Sequence, residues 1–455
     1  MANRIINDYT EGPVTRQLLA FAWPFMLSNL LQSAYNLADM IIVGKFVGAV
    51  GLSAVSVGGD LIHFYTFIGM GICSAGQIVI SQYLGLKNYK KVSETVGTLA
   101  VVAFLIALGV TALGLVGGST FLTWLNVPAE ARDQCAAYTL CCTLGTVFIY
   151  GYNLVSSVLR GMGDSRHPML FVGLAAVLNV ALDLLLVSRG MGALGAALAT
   201  VLSQAVSFIV SVIFLYRRRE EFGFDFKRES FRPDRTVLGI LIKLGIPLVL
   251  QSCAISVSTL FVSSFINAYG VTESAVTGVG SKLSFLVSIV TLALSQAGST
   301  MIGQNFAARK FKRIARVRYD SYIINCLFAT ALSAVIFLWP EQVFSVFDNS
   351  EAVLTMSHTY VPAAILTFYG FALRSPNMAF CNGLGFATMN MTLGILDGVV
   401  FRIGLSLLMG KVLNMGVQGF WIGSALAGFV FFVILSPYYL AGGWKKRLPP
   451  VAAEA

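Results

Sequence analysis

Four oxygen-bearing side chains stand where a long apolar chain would not be expected to put them: Asp39, Asn179, Asp183 and Thr200. Asp39 lies near the end of the stretch from Leu18 to Gly48, and the chain continues apolar after it through Val43. Asp183 holds a similar place in the fifth apolar run, and Thr200 lies a few residues into the sixth. Counting from the run ends puts these three at one depth. Asn179 precedes Asp183 by one helical turn, so the two share a face. A carboxylate in an apolar run is expensive unless it faces a protein interior, where its default reading is functional. Two carboxylates with an amide and a hydroxyl suit a proton or Na⁺. Hard cations take oxygen ligands, and adjacent carboxylates repel until one is protonated or a cation sits between them. The amide and hydroxyl alone would equally bridge two helices by a hydrogen bond.

Other intramembrane charges fall into two groups. Asp60 in VGGDLIHF and Lys282 in VGSKLSFL occupy equivalent places in two halves of the chain. They are a candidate gate or substrate contact if both point into a central cleft, and vestibule residues otherwise. Arg374, Asp397 and Arg402 lie in the tenth and eleventh runs. Asp397 and Arg402 are five apart, imperfect partners on an α-helix, and mutual neutralisation or substrate contact is expected of this set. His63, His167 and His358 stand isolated and without metal spacing. The seven cysteines show no CxxC pairing and read as small core residues. GxxxxGK[ST], HExxH and GxSxG are absent. An enzyme is therefore not expected, nor a cofactor or a metal beyond Na⁺ at the Asp39/Asp183 site.

The elements that must position these groups are membrane helices. Of 455 residues, 56% are hydrophobic and 11% are charged, a balance foreign to soluble domains. Apolar runs of about 20 residues or more predict an all-α polytopic protein with twelve transmembrane helices. Their cores run near 18–43, 52–82, 95–116, 135–159, 170–188 and 194–216, then 238–266, 275–302, 319–337, 353–380, 388–409 and 417–440. The polar start, 1–15, is not a cleavable signal, so the first span is expected to insert the chain. The net charge of +10 reflects loop asymmetry rather than nucleic-acid binding. With both termini in the cytoplasm, 24 of 31 basic residues, Arg4 among them, fall inside, against Lys45, Arg132, Arg189 and Lys411 outside. The charged stretch around 217–235 predicts a cytoplasmic linker at 221–236 between an N-lobe, 1–220, and a C-lobe, 237–455.

The halves repeat. SQYLGLKNYKK from Ser81 matches GQNFAARKFKR from Gly303, and RGMGDS from Arg160 matches NGLGFA from Asn382, both at an offset of 222. Pro24 pairs with Pro247 at 223, and MGALG from Met191 with MGVQG from Met415 at 224. Six spans per half make the repeat parallel, two pseudo-symmetric bundles with a path between them. Pro24 lacks an amide proton and is expected to bend the first helix as a conformational hinge.

On these residues the chain resembles the multidrug and toxic compound extrusion (MATE) family. The resemblance rests on the bent first helix with Pro24, DMIIVGKFVG from Asp39, ISQYLG from Ile80 and RGMGDS from Arg160. It rests also on NVALD from Asn179 and GALGAALAT from Gly192 to Thr200. It implies two six-helix bundles alternating between outward-open and inward-open states. It further implies export of amphiphilic, often cationic compounds against inward H⁺ or Na⁺. In the DinF-like branch a cation site of acids, amide and hydroxyl maps onto Asp39, Asn179, Asp183 and Thr200, and a bent-to-straight change onto Pro24. The second-lobe acids of the NorM-like branch have no counterparts in 238–266 or 353–380. The alternative is a lipid or oligosaccharide flippase of the same superfamily. The expected setting is the plasma membrane, as a monomer whose partners are small amphiphiles and the bilayer, with no nucleic acid.

Overall fold

A computed structural model describes residues 6–125 and 127–453. Arg4, counted among the inside bases, lies outside the described residues. Among these residues the chain forms twelve long helical rods, a few short helices between and after them, and no strand. In the first half they are α1 (Val14–Phe46), α2 (Ala49–Gly85), α3 (Tyr89–Trp124), α4, α5 (Arg166–Leu186) and α6 (Gly192–Arg217). Rod α4 is a pair, Ala129–Leu144 and Thr146–Gly161, bent by 50°. The second half holds α7 (Arg235–Asn267), α8 (Val271–Ala307), α9 (Phe311–Leu338), α10 (Glu351–Leu384), α11 (Ala387–Val412) and α12 (Gly416–Ala441). Most extend several residues beyond the apolar cores expected from sequence. Eight continuous stretches, or nine with the bent pair, are by themselves long and apolar enough to cross a membrane. One of these, Arg166–Arg217, contains both α5 and α6. The proline-containing α1 and α10 lie outside that count.

The repeat is visible in the backbone. The turns after α2 and α8 put Lys87 and Arg309 in the left-handed region, at φ 57° and 59°. Gly163 and Gly385, in the matched RGMG and NGLG motifs, have φ 88° and 76°. Close packing explains the preceding glycine of each motif. A Cβ on Gly161 would lie 2.9 Å from the Gln77 carbonyl oxygen and 3.0 Å from Ile80. A Cβ on Gly383 would meet the Ser299 carbonyl oxygen at 2.7 Å and Ile302 at 2.6 Å. These partners are themselves 222 apart, so both halves use one glycine to bring two helices together.

By internal contacts the chain divides into two units. One comprises residues up to Asp8 with Trp23–Ile246, and the other Tyr9–Ala22 with Pro247–Ala455. The expected lobes are thus each completed by a strip from the other half of the sequence. The breaks fall one residue before Pro24 and at Pro247, where a missing amide proton weakens helix continuity. Within the second unit the strip is held at several points. The Tyr9 N–H donates to Gln304 Oε1 (2.7 Å), Arg313 donates to the carbonyls of Tyr9 and Gly12, and Thr15 Oγ1 donates to Asp320 Oδ2 (2.6 Å).

The stretch between α6 and α7 is more structured than its charge suggests. Phe222 and Phe224 are buried and pack with Phe226 and Phe231. The Ser230 carbonyl fits against Gly97 of α3, where a Cβ would come within 1.8 Å of it. Asp234 closes the stretch. Its carboxylate accepts the Val237 N–H (2.8 Å), capping α7, and pairs with Lys91 (3.3 Å). The Val237 N–H, and after it Lys91, hold this carboxyl below the usual range. We expect Asp234→Ala to cost about 1 kcal/mol of stability. A depressed carboxyl stabilises above its unfolded pKa and ceases to do so as pH falls. Melting curves of wild type and variant in detergent should therefore differ at pH 7 and begin to converge only as pH falls below about 4.

Candidate functional site

The first unit's core brings α1, α4, α5 and α6 together through small residues. Ala193, Ala196, Ala197 and Ala199 on α6 are fully enclosed, and Ile42, Val43, Cys135 and Cys142 pack nearby. A π turn at Val187–Met191 ends α5, and left-handed glycines at 190 and 192 return the chain into α6. This hairpin sets Asn179 opposite Thr200, with Asn179 Nδ2 donating to Thr200 Oγ1 at 3.4 Å.

Asp183 and Asn179 are buried, 0% and 1% exposed, and Asp39 is 8% exposed. The carboxyls of Asp39 and Asp183 lie within electrostatic reach of each other, from α1 and α5. Asp39 Oδ1, both Asp183 oxygens and Asn179 Oδ1 accept no hydrogen bond among the described residues. Buried acceptors are normally satisfied, so this group has room in its bonding for a proton or a cation. The donor set is oxygen only and fits Na⁺ or H⁺ better than a soft metal. Among the described residues no three His, Cys, Asp or Glu are placed to hold a metal ion.

Two phenols were not among the expected site residues. Tyr35, one turn before Asp39 on α1, and Tyr138 on α4 lie within electrostatic reach of Asp39, and Tyr138 also of Asp183. Gln204 contacts Tyr35. The spacing of Tyr35 from Asp39 was a usable signal. Tyr138 had none, since an aromatic in an apolar run reads as core.

The second unit has no such acceptor group at the equivalent place. Offsets of 223 and 224 relate Asn179 to Arg402 and Thr200 to Ser424. The equivalent hydrogen bond survives, with Arg402 Nη1 donating to Ser424 Oγ at 3.1 Å. A guanidinium thus stands where the first unit has an amide. Arg402 also reaches Asp397 Oδ1 at 3.1 Å, and Arg374 reaches Asp397 Oδ2 at 3.1 Å. Asp397 and Arg402 are five apart, imperfect partners on an α-helix, yet they pair, because the segment Leu396–Ile403 is π-helical. A wider turn aligns residues five apart. The repeat offset grows from 222 to 224 across this stretch, and the π turns of α11 accommodate the surplus. Asp397 is fully buried between two arginines, so the cluster keeps one excess positive charge.

The remaining expected residues have simpler surroundings. Pro24 is buried within α1, and the Ser28 hydroxyl donates to its carbonyl at 2.8 Å. Asp60 is exposed. Lys282 is exposed, and its ammonium lies 5.1 Å from the centre of the Phe347 ring. The histidines are not all isolated. His167 bonds Asp164, whose carboxylate also accepts the Arg166 N–H (3.0 Å) at the start of α5, and His358 pairs with Glu341 (3.0 Å). The seven cysteines are free.

A sequence family described as MatE matches residues 24–185 and 247–408. The two matches begin at Pro24, next to the unit boundary at Trp23, and at Pro247, where the second unit resumes. The chain is 26% identical over 450 residues to the probable multidrug resistance protein YoeA of Bacillus subtilis, covering 97% of each protein. It superimposes with a TM-score of 0.88 on a crystal structure of MATE in the bent conformation, at 22% identity, covering 96% of this chain and 98% of that one. The outward-facing conformation of a multidrug resistance MATE family transporter of the MOP superfamily gives a TM-score of 0.88 at 21% identity, covering 98% and 100%.

Proposed function

The chain belongs to the MatE family, and from that premise we propose that it is a secondary active exporter of amphiphilic, often cationic small molecules. It works as a monomer in the plasma membrane, both termini cytoplasmic, by alternating access. Inward H⁺ or Na⁺ drives it, and the ion binds among Asp39, Asp183, Asn179 and Thr200. The observation that carries this reading is the set of four buried, unpartnered acceptor oxygens in the first unit. The flippase alternative leans on positive charge in the second unit. Arg374 and Arg402 are committed to Asp397 there, which weakens it.

The coupling ion makes the reading testable. Efflux of a cationic dye from proteoliposomes is followed with a pH gradient or a Na⁺ gradient imposed separately. Acceleration by one gradient identifies the ion. Dye movement indifferent to both gradients would sink the antiport assignment.

Pro24 is proposed as the hinge of α1. It stands where the helix passes from one structural unit to the other, and it leaves one carbonyl of the preceding turn without its usual partner. Pro24→Ala should keep substrate affinity, measured by dye quenching, while slowing export several-fold. An unchanged export rate would leave Pro24 with a packing role only.

A further inference from the structure

Arg318, in the second turn of α9, is 8% exposed. Its guanidinium donates to Asn377 Oδ1 (2.8 Å) and the Tyr322 hydroxyl (3.0 Å) and lies over the Tyr439 ring at 4.1 Å. No carboxylate pairs with it among the described residues, and its Nε has no acceptor. The nearby acid, Asp320, is already taken by Arg316 (2.8 Å) and Thr15 (2.6 Å). Buried charges are normally paired, because an unpaired one is costly. Arg318 also lines a cavity of about 460 Å³ with Lys312, Arg316, Tyr319, Tyr322 and Tyr439. Lys312 is exposed and makes no ion pair among the described residues. The cavity therefore presents two uncompensated cations and a wall of phenols.

Its position decides what would fill it. Beyond the cavity, α9 and α12 present exposed apolar side chains along their length: Ile323 and Leu327 on one, Phe432 and Val433 on the other. A basic pocket beside a row of exposed apolar side chains matches a molecule with an anionic head and hydrocarbon tails. Tyrosines at the rim suit the headgroup level, where amphipathic rings concentrate.

We propose that this cavity binds the headgroup phosphate of an anionic phospholipid, with its acyl chains along the α9–α12 face. Lys312 and Arg318 supply the charge, and Arg318 gains the partner it lacks within the chain. Under the orientation proposed above, the lipid belongs to the cytoplasmic leaflet. The site is separate from the Asp39 cluster, so binding is readable whether or not the chain exports drugs.

Native mass spectrometry of the purified chain, titrated with phosphatidylglycerol or phosphatidylcholine, tests this. Phosphatidylglycerol should be retained in preference. Lys312→Gln, at an exposed position, should weaken retention about fivefold, and Lys312→Gln with Arg318→Gln about thirtyfold, at the usual worth of a base near anionic lipid. If the double variant does not fold, the single one decides. Equal retention of the two lipids overturns the proposal, and so does unchanged retention in the variants. Displacement of bound phosphatidylglycerol by millimolar inorganic phosphate would mark a site for a soluble anion and overturn the lipid assignment.

Discussion

In proteoliposomes, Asp39→Asn should export substrate no faster than the passive leak, while eluting as a monodisperse, helical protein. Asparagine keeps the shape of the side chain and removes the group that can bind a proton or balance Na⁺. The fold should tolerate it, because Asp39 Oδ1 accepts no hydrogen bond that the change would break. Substitution also removes one of two facing carboxylates, which relieves repulsion. Asp183→Asn should have the same effect. The double variant should be no worse than either single one, because losing either carboxylate disables one shared ion. Two partial losses that multiply would mean that the aspartates act separately. Gradient-driven export by purified Asp39→Asn protein would remove Asp39 from the mechanism.

The largest stability effect is expected at Asp397. Replacing it with asparagine leaves Arg374 and Arg402 buried together without a counter-charge, their side chains 10% and 15% exposed. Breaking a buried ion pair from one side costs about 3–5 kcal/mol, and two like charges remain here rather than one. Arg402→Gln acts differently, leaving Asp397 paired with Arg374 in a neutral couple. It should cost much less, and added to Asp397→Asn it should recover part of the loss. Thermal denaturation in detergent, followed by intrinsic fluorescence, measures all three. A smaller loss for Asp397→Asn than for Arg402→Gln would show that the cluster is not held by its central carboxylate.

The contrast between the units explains what the sequence could disclose. Asp39 and Asp183 were legible because a charge in an apolar run has no cheap explanation, and counting from run ends fixes depth. Asn179 followed from helical periodicity. Tyr138 was invisible, since nothing in its neighbours separates a phenol facing a carboxylate from one filling space. The neutralisation of Asp397 by Arg402 was expected from the charges, but the five-residue spacing suits a π turn better than the α-helical turn that was assumed. Local sequence does not announce a π turn, although the growth of the repeat offset hinted at extra residues. The stretch 221–236 reads as a solvated connector by charge, yet its buried phenylalanines tie it to α3. Charge dominates such a segment in composition, while a few aromatics decide its packing. The exchange of strips between units lies further from reach, because contacts nearly three hundred residues apart leave no local trace.

That exchange has a consequence for biosynthesis. The strip Tyr9–Ala22 leaves the ribosome before the rest of its unit, and Gln304, Arg313 and Asp320, which hold it, come about three hundred residues later. At about 5–20 residues per second, the interval is roughly 15–60 s. Throughout it Leu18 and Phe21, buried in the finished protein, have no docking surface. The first unit is likewise incomplete until Arg235–Ile246 has been made. The two halves therefore cannot mature one after the other, as consecutive domains usually do. Expressed as separate polypeptides split within 221–236, each half should be degraded alone and rescued by the other, because each carries the missing edge of its partner.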